Sequence, residues 1–193
     1  MKKINGFENV QALTDSVKLP AGGYEAKIMN AKVTEKKRSD GSTYEVLEIA
    51  VDITAGEFAG YYQKQYNGST LPDKKWKGVA RYNIPIEDGS DKDNLTQRIL
   101  RSMVDAVEES NAGYHWDWDE TKLKGKVCGI LVRDKEYNFN GRHGFAPEIF
   151  KLVSTQSIRD GSFKTPEPKY LNGNAPTESA TSSAASFVDD IDF

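Results

Sequence analysis

Residues 91–111 read DKDNLTQRILRSMVDAVEESN, and they decide how the rest of the chain is assembled. Leu95, Ile99, Met103, Val104 and Val107 fall at i, i+4, i+8, i+9 and i+12, the spacing of one apolar helical face. Asn111 and Gly113 end the pattern, as helix terminators do. It is the one clear helix in a chain that otherwise reads as strands, so its position in the order of elements fixes the expected topology.

Upstream, GGYEAKIMNAKVTEKKR (22–38) puts Tyr24, Ala26 and Ile28 on one phase and Ala31 and Val33 on the other, as a long strand with a bulge would. SDGS (39–42) is a turn signal. TYEVLEIAVDIT (43–54) then alternates, with Leu47, Ile49, Val51 and Ile53 inward and Tyr44, Glu48 and Asp52 outward, completing a hairpin. Residues 57–75 read as a short strand and a long loop. WKGVARYNIPI (76–86) is a third strand stopped by Pro85. Downstream, KVCGILVRDKEYNF and RHGFAPEIFKLVS are joined by Asn140-Gly141, the strongest short-range hairpin signal. The order strand–strand–strand–helix–strand–strand predicts a mainly β fold: a five-stranded OB-fold barrel with one helix between strands 3 and 4. The edges of such a barrel leave pairing between copies open.

Length and composition fit one domain with an appendage. Of 193 residues, 37% are hydrophobic and 28% charged, and no apolar run approaches the roughly 18 residues of a membrane span. The N-terminus has two lysines but no apolar stretch behind them, so no secretory signal is expected. The single cysteine, Cys128, excludes an internal disulfide and fits a reducing cytoplasm. The net charge of −3 is uneven: residues 161–193 hold two basic and five acidic side chains, leaving the body with 24 of each sign. Any nucleic-acid function must therefore rest on local patches.

Catalytic chemistry finds little footing. Two histidines, His115 and His143, and one cysteine are too few for a His/Cys zinc site, and no phosphate-binding glycine loop is present. In YHWDWDE (114–120), Trp116 and Trp118 read as plugging the barrel near the helix end, with Asp117, Asp119 and Glu120 in solvent. Asp15, Glu25 and Lys27 spell a nuclease-like acid–X–Lys pattern on what reads as an ordinary amphipathic strand. No catalytic residue, cofactor or metal is expected.

Binding residues are more plentiful. The first hairpin loop carries Lys36, Lys37 and Arg38; strand 3 and its approach carry Tyr62, Lys64, Lys74, Lys75, Trp76, Lys77, Arg81 and Tyr82; the last hairpin carries Phe139 and Arg142. Cations that neutralise phosphates, interleaved with aromatic faces that stack on bases, are what a sequence-tolerant single-strand binder needs.

The C-terminus adds a second theme. NGNAPTESATSSAAS (172–186) has nothing apolar beyond alanine and one charge, the composition of a disordered tether. About 20 such residues reach roughly 25 Å. The chain is expected to divide into a binding domain (1–163), a disordered linker (164–186) and an acidic tip (187–193). The tip, Phe187, Asp189, Asp190, Ile191, Asp192 and Phe193, resembles the partner-docking tip of bacterial single-stranded-DNA-binding proteins, although Asp192 stands where that family usually has proline.

The body, through MKKINGFENVQA, LPAGGYEAKI, DKKWKGVARY and NAGYHWDWDETKLKGK, resembles bacteriophage and prophage single-stranded-DNA-binding proteins over most of residues 1–165. That resemblance implies an OB-type fold, binding without strict sequence preference, and replication or recombination partners reached through the tip in the host cytoplasm. The competing expectation is a protein-binding adaptor or inhibitor that mimics the tip and has no DNA affinity.

Overall fold

The computed structural model describes residues 2–3, 5–9 and 17–171. Among them, five strands build one antiparallel sheet: β1 (Gly22–Lys37), β2 (Thr43–Ile53), β3 (Val79–Asn83), β4 (Val127–Phe139) and β5 (Arg142–Val153). Their order across the sheet is β3-β2-β1-β4-β5. The fold is mainly β, as its sequence predicts, but the expected closed barrel is an open sheet. Its edge strands, β3 and β5, approach each other without a ladder. A side chain bridges them instead: the Leu152 N–H donates to the Tyr82 hydroxyl at 2.7 Å.

Both hairpins form where turn chemistry places them. Asn140 and Gly141 have φ of 49° and 75°, the doubly positive pair that a tight two-residue hairpin demands. The bulge expected in β1 lies between Ile28 and Asn30. In β2, Leu47, Ile49, Val51 and Ile53 are buried as the alternation requires. Asp52, expected in solvent, is buried as well, because its carboxylate accepts the N–H groups of Tyr62 and Ile53, each at 3.0 Å.

That bond accounts for an element the sequence does not announce. Residues expected as strand and loop form a helix, α1 (Tyr61–Gly68), whose first turn is held by Asp52 and whose Tyr62 ring is sunk in the core. α2 (Asp91–Ser110) follows β3 and precedes β4. The Ser90 side chain caps it by accepting the Asp93 N–H at 3.1 Å. The buried Asp93 carboxylate in turn accepts the Ile86 N–H at 2.7 Å and the Gln97 amide at 2.8 Å, tying the preceding loop to the helix. At the far end, the Asn111 side chain bonds the backbone of Val127 and so fixes α2 to the start of β4.

The buried stripe of α2 is Leu100, Met103, Val104, Ala106 and Val107. Leu95 and Ile99, expected on that stripe, are 54% and 48% exposed: the buried face is centred on Leu100, Met103, Val104 and Val107, and at about 100° per residue both fall to one side of it.

A short α3 (Thr155–Arg159) lies on the sheet face opposite the core. It fits because Gly23 and Gly129 leave room. A Cβ on Gly129 would stand 2.5 Å from Ile158 Cγ1, and one on Gly23 2.6 Å from Phe163 Cζ. Arg159 then clamps Glu25 with two bonds of 3.0 and 2.8 Å. The chain stays on the body beyond the expected boundary at 163. Lys169 bonds the backbone on either side of Lys135, Tyr170 packs edge-on to Phe145, and the Leu171 N–H donates to Glu136. The tip and most of the expected linker lie outside the described residues.

Candidate nucleic-acid interface

The outer face of β1–β2–β3 concentrates positive charge by register. Lys32 stands opposite Glu48, and Glu48 opposite Arg81, so the three strands contribute one ladder of charged side chains. Lys36 joins it from two outward positions further along β1, beyond Thr34. Glu48 receives Lys36 at 3.1 Å, Arg81 at 3.2 Å and Lys32 at 3.8 Å. Three cations around one carboxylate leave a surplus of two positive charges on an open face. The cations are held in place yet remain accessible to an anion.

Burial alone would push the Glu48 carboxyl upward, but Lys36 and then Arg81 outweigh it and hold the group below the usual glutamate value. On β4–β5 the same balance depresses Glu148, with burial opposed by Arg133 and Lys135. A depressed carboxyl stabilises the fold fully above its unfolded value, here 4.5, and that contribution is lost as the pH falls through the lower folded value. The unfolding midpoint of the protein should therefore drop between pH 5 and pH 3. Glu48→Gln should start lower at pH 6 and lose less on acidification. Parallel descent of the two curves would contradict the assignment.

The sequence-predicted residues fall into three groups. Lys36 and Arg81 meet at Glu48. Lys37, Lys64, Lys74, Lys75 and Lys77 are exposed, with Lys74 lying 4.9 Å from the Tyr66 ring centre. Arg38, also exposed, folds back onto its own turn. It lies 4.5 Å from the Tyr44 ring centre and bonds the Ser42 hydroxyl and the Thr43 carbonyl, so cation and aromatic are presented as one unit. Phe139, 47% exposed, sits opposite the exposed Arg142 at the tip of the last hairpin.

The third group belongs to the core. Tyr62 and Tyr82 are only 2% and 5% exposed, and burial pushes both phenols far above their ordinary value. Neither has a face to offer a base. Trp76 is partly buried against the core, and its indole N–H donates to the Val51 carbonyl at 3.0 Å. Tyr44, absent from the expected site, is the aromatic that the register places beside Lys36.

The two basic hairpins do not meet side by side. β1 pairs with β4 only along Gly22–Lys27. From there β1 runs on to Lys37, while β4 runs past Val132 to Phe139 in the opposite sense. At about 3.3 Å per residue these are arms of roughly 33 and 23 Å.

Among the described residues, no group of three or more His, Cys, Asp and Glu is placed to hold a metal ion. His143 bonds Glu136, and that bond, followed by the Leu171 N–H, keeps the Glu136 carboxyl below its usual value. Glu25 of the nuclease-like pattern is occupied by Arg159, and Asp15 lies outside the described residues. Cys128 is buried, and its thiol is pushed up to about 12. Of the two expected plugs, Trp116 packs against the core, whereas Trp118 is 79% exposed.

No protein-family model matches the chain, and no curated protein is similar to it.

Proposed function

We propose that this chain is a non-enzymatic protein that binds single-stranded DNA with little regard for sequence. The Glu48-centred ladder of Lys32, Lys36 and Arg81 carries the reading: a fixed surplus of positive charge on an exposed sheet face, flanked by the Arg38–Tyr44 unit. Such a surface holds phosphates by charge and bases by stacking, two interactions that do not depend on base identity. The body is of OB type on this reading. Its strand order, with β3 and β5 drawn together and α2 between β3 and β4, is one unpaired seam away from that barrel. The acidic tip, residues 187–193, serves to recruit replication or recombination proteins.

The test is a fluorescence titration of the full chain with single-stranded and double-stranded oligonucleotides of equal length at several salt concentrations. Preferential binding of single strands, weakening with salt, is the expected result. Equal or absent binding overturns the reading.

One observation favours the alternative of a protein-binding adaptor. The exposed Trp118 borders a groove of about 600 Å³ floored by Ile84, Pro85, Val104 and Trp116, with Arg98 and Arg101 on its rim. Under that alternative, oligonucleotides leave the fluorescence unchanged.

A further inference from the structure

β5 departs from strict alternation at one point. Val132 pairs with Ile149 and Leu131 with Lys151, so the ladder skips Phe150. The burial of consecutive residues follows: Ile149 and Leu152 are in the core, while Phe150 and Lys151 between them are both exposed. A bulge of this kind re-aims a side chain that a regular strand would place elsewhere. Here it puts an aromatic ring and a cation next to each other on the outer face.

The surroundings reinforce the pairing. Phe150 is a large apolar side chain left 45% exposed. The Arg133 guanidinium lies 4.7 Å from its ring centre and the Lys151 ammonium 5.9 Å. Beside it lies an open groove of about 340 Å³, lined by Leu131, Val153 and Phe163 and edged by Lys151 and Lys164. Glu148 neutralises only part of this charge, since it is shared between Arg133 at 2.6 Å and Lys135 at 3.2 Å. Glu167 is paired with Lys164. The result is an apolar, ring-sized recess with an aromatic wall and a net positive edge.

We propose that Phe150 is a base-stacking station and Lys151 its phosphate partner, so that a bound single strand also contacts the outer face of β4–β5. This rests on the proposed function and extends it to a surface separated from the Glu48 ladder by α3 and Phe163. The chemistry needed is that of any nucleotide: a planar ring to lie on Phe150 and an anion to meet Lys151. Stacking of this kind is indifferent to which base is stacked.

The experiment compares binding of the full chain and three variants to an oligothymidine long enough to span the body. Phe150→Ala should weaken binding about 5- to 150-fold, the range for one lost base–aromatic stack. Phe150→Trp should restore affinity, and its added indole emission should be quenched on binding. Lys151→Glu should lower the slope of log K against log salt by about 0.7 or more. Each variant is checked for an unchanged circular dichroism spectrum. If the parent protein binds and both Phe150→Ala and Lys151→Glu bind as it does, the station is overturned and the Glu48 ladder stands alone. If the parent protein itself does not bind, the proposed function falls and takes the station with it. If Phe150→Ala fails to fold, Phe150→Trp and Lys151→Glu decide.

Discussion

Reversing Lys36 and Arg81 together to glutamate should nearly abolish binding of single-stranded DNA at moderate salt. The two cations supply most of the positive charge around Glu48, and their reversal turns a local surplus of two into a deficit of two. If each side chain neutralises one phosphate, the slope of log K against log salt should fall by about 1.4, because each contact on a single strand contributes about 0.7. The new carboxylates also repel the backbone, so affinity should drop by at least about tenfold more than counterion release alone implies. Stability should fall as well, because the mostly buried Glu48 carboxylate loses two of its three cations and gains two like-charged neighbours, so the variant's circular dichroism and unfolding midpoint are recorded before binding is read. A variant that stays folded and keeps the parent affinity and slope would remove this face from the interface.

The largest effect on stability should come from Met103→Ala. Met103 is fully buried where α2 meets the sheet. Removing its side chain leaves a cavity, and such truncations cost about 2–5 kcal/mol. In a chain of this size each kilocalorie lowers the unfolding midpoint by roughly 2–4 °C. The informative comparison is with Leu95→Ala and Ile99→Ala on the same helix. Both are half exposed, so their midpoints should stay within about two degrees of the parent, as surface substitutions do. Equal losses at positions 95 and 103 would mean that α2 buries the stripe its periodicity suggests rather than the one seen.

That comparison isolates what a linear pattern conveys. The existence and ends of α2 are legible, because Asn111 and the apolar spacing are local. Its phase is not: Leu95, Ile99 and Met103 are equivalent by spacing, and only the packing against the sheet decides that the buried face turns toward Leu100 and Val104 instead. β2 and the Asn140-Gly141 hairpin are legible for the same local reason. α1 is not, because its aromatic sequence has no apolar period and its first turn depends on Asp52, a residue of another element.

The site divides along the same line. Lys36 and Arg81 are recognisable as cations, but their meeting at Glu48 depends on which residues stand opposite across two ladders. Tyr62 and Tyr82 look like stacking residues until burial is known. Phe150 looks like one more alternating strand residue until the partner strand reveals the skipped position.

The opposed arms have a mechanical meaning. The six pairs from Gly22–Lys27 to Val127–Val132 are the ladder that joins one hairpin to the other. Tension between the two arm tips would run along the strands and so across those hydrogen bonds, which lie perpendicular to an antiparallel pair. The six pairs then share the load in shear instead of opening one after another like a zip. A ligand stretched between the arms would thus pull on the sheet in the direction in which it yields least.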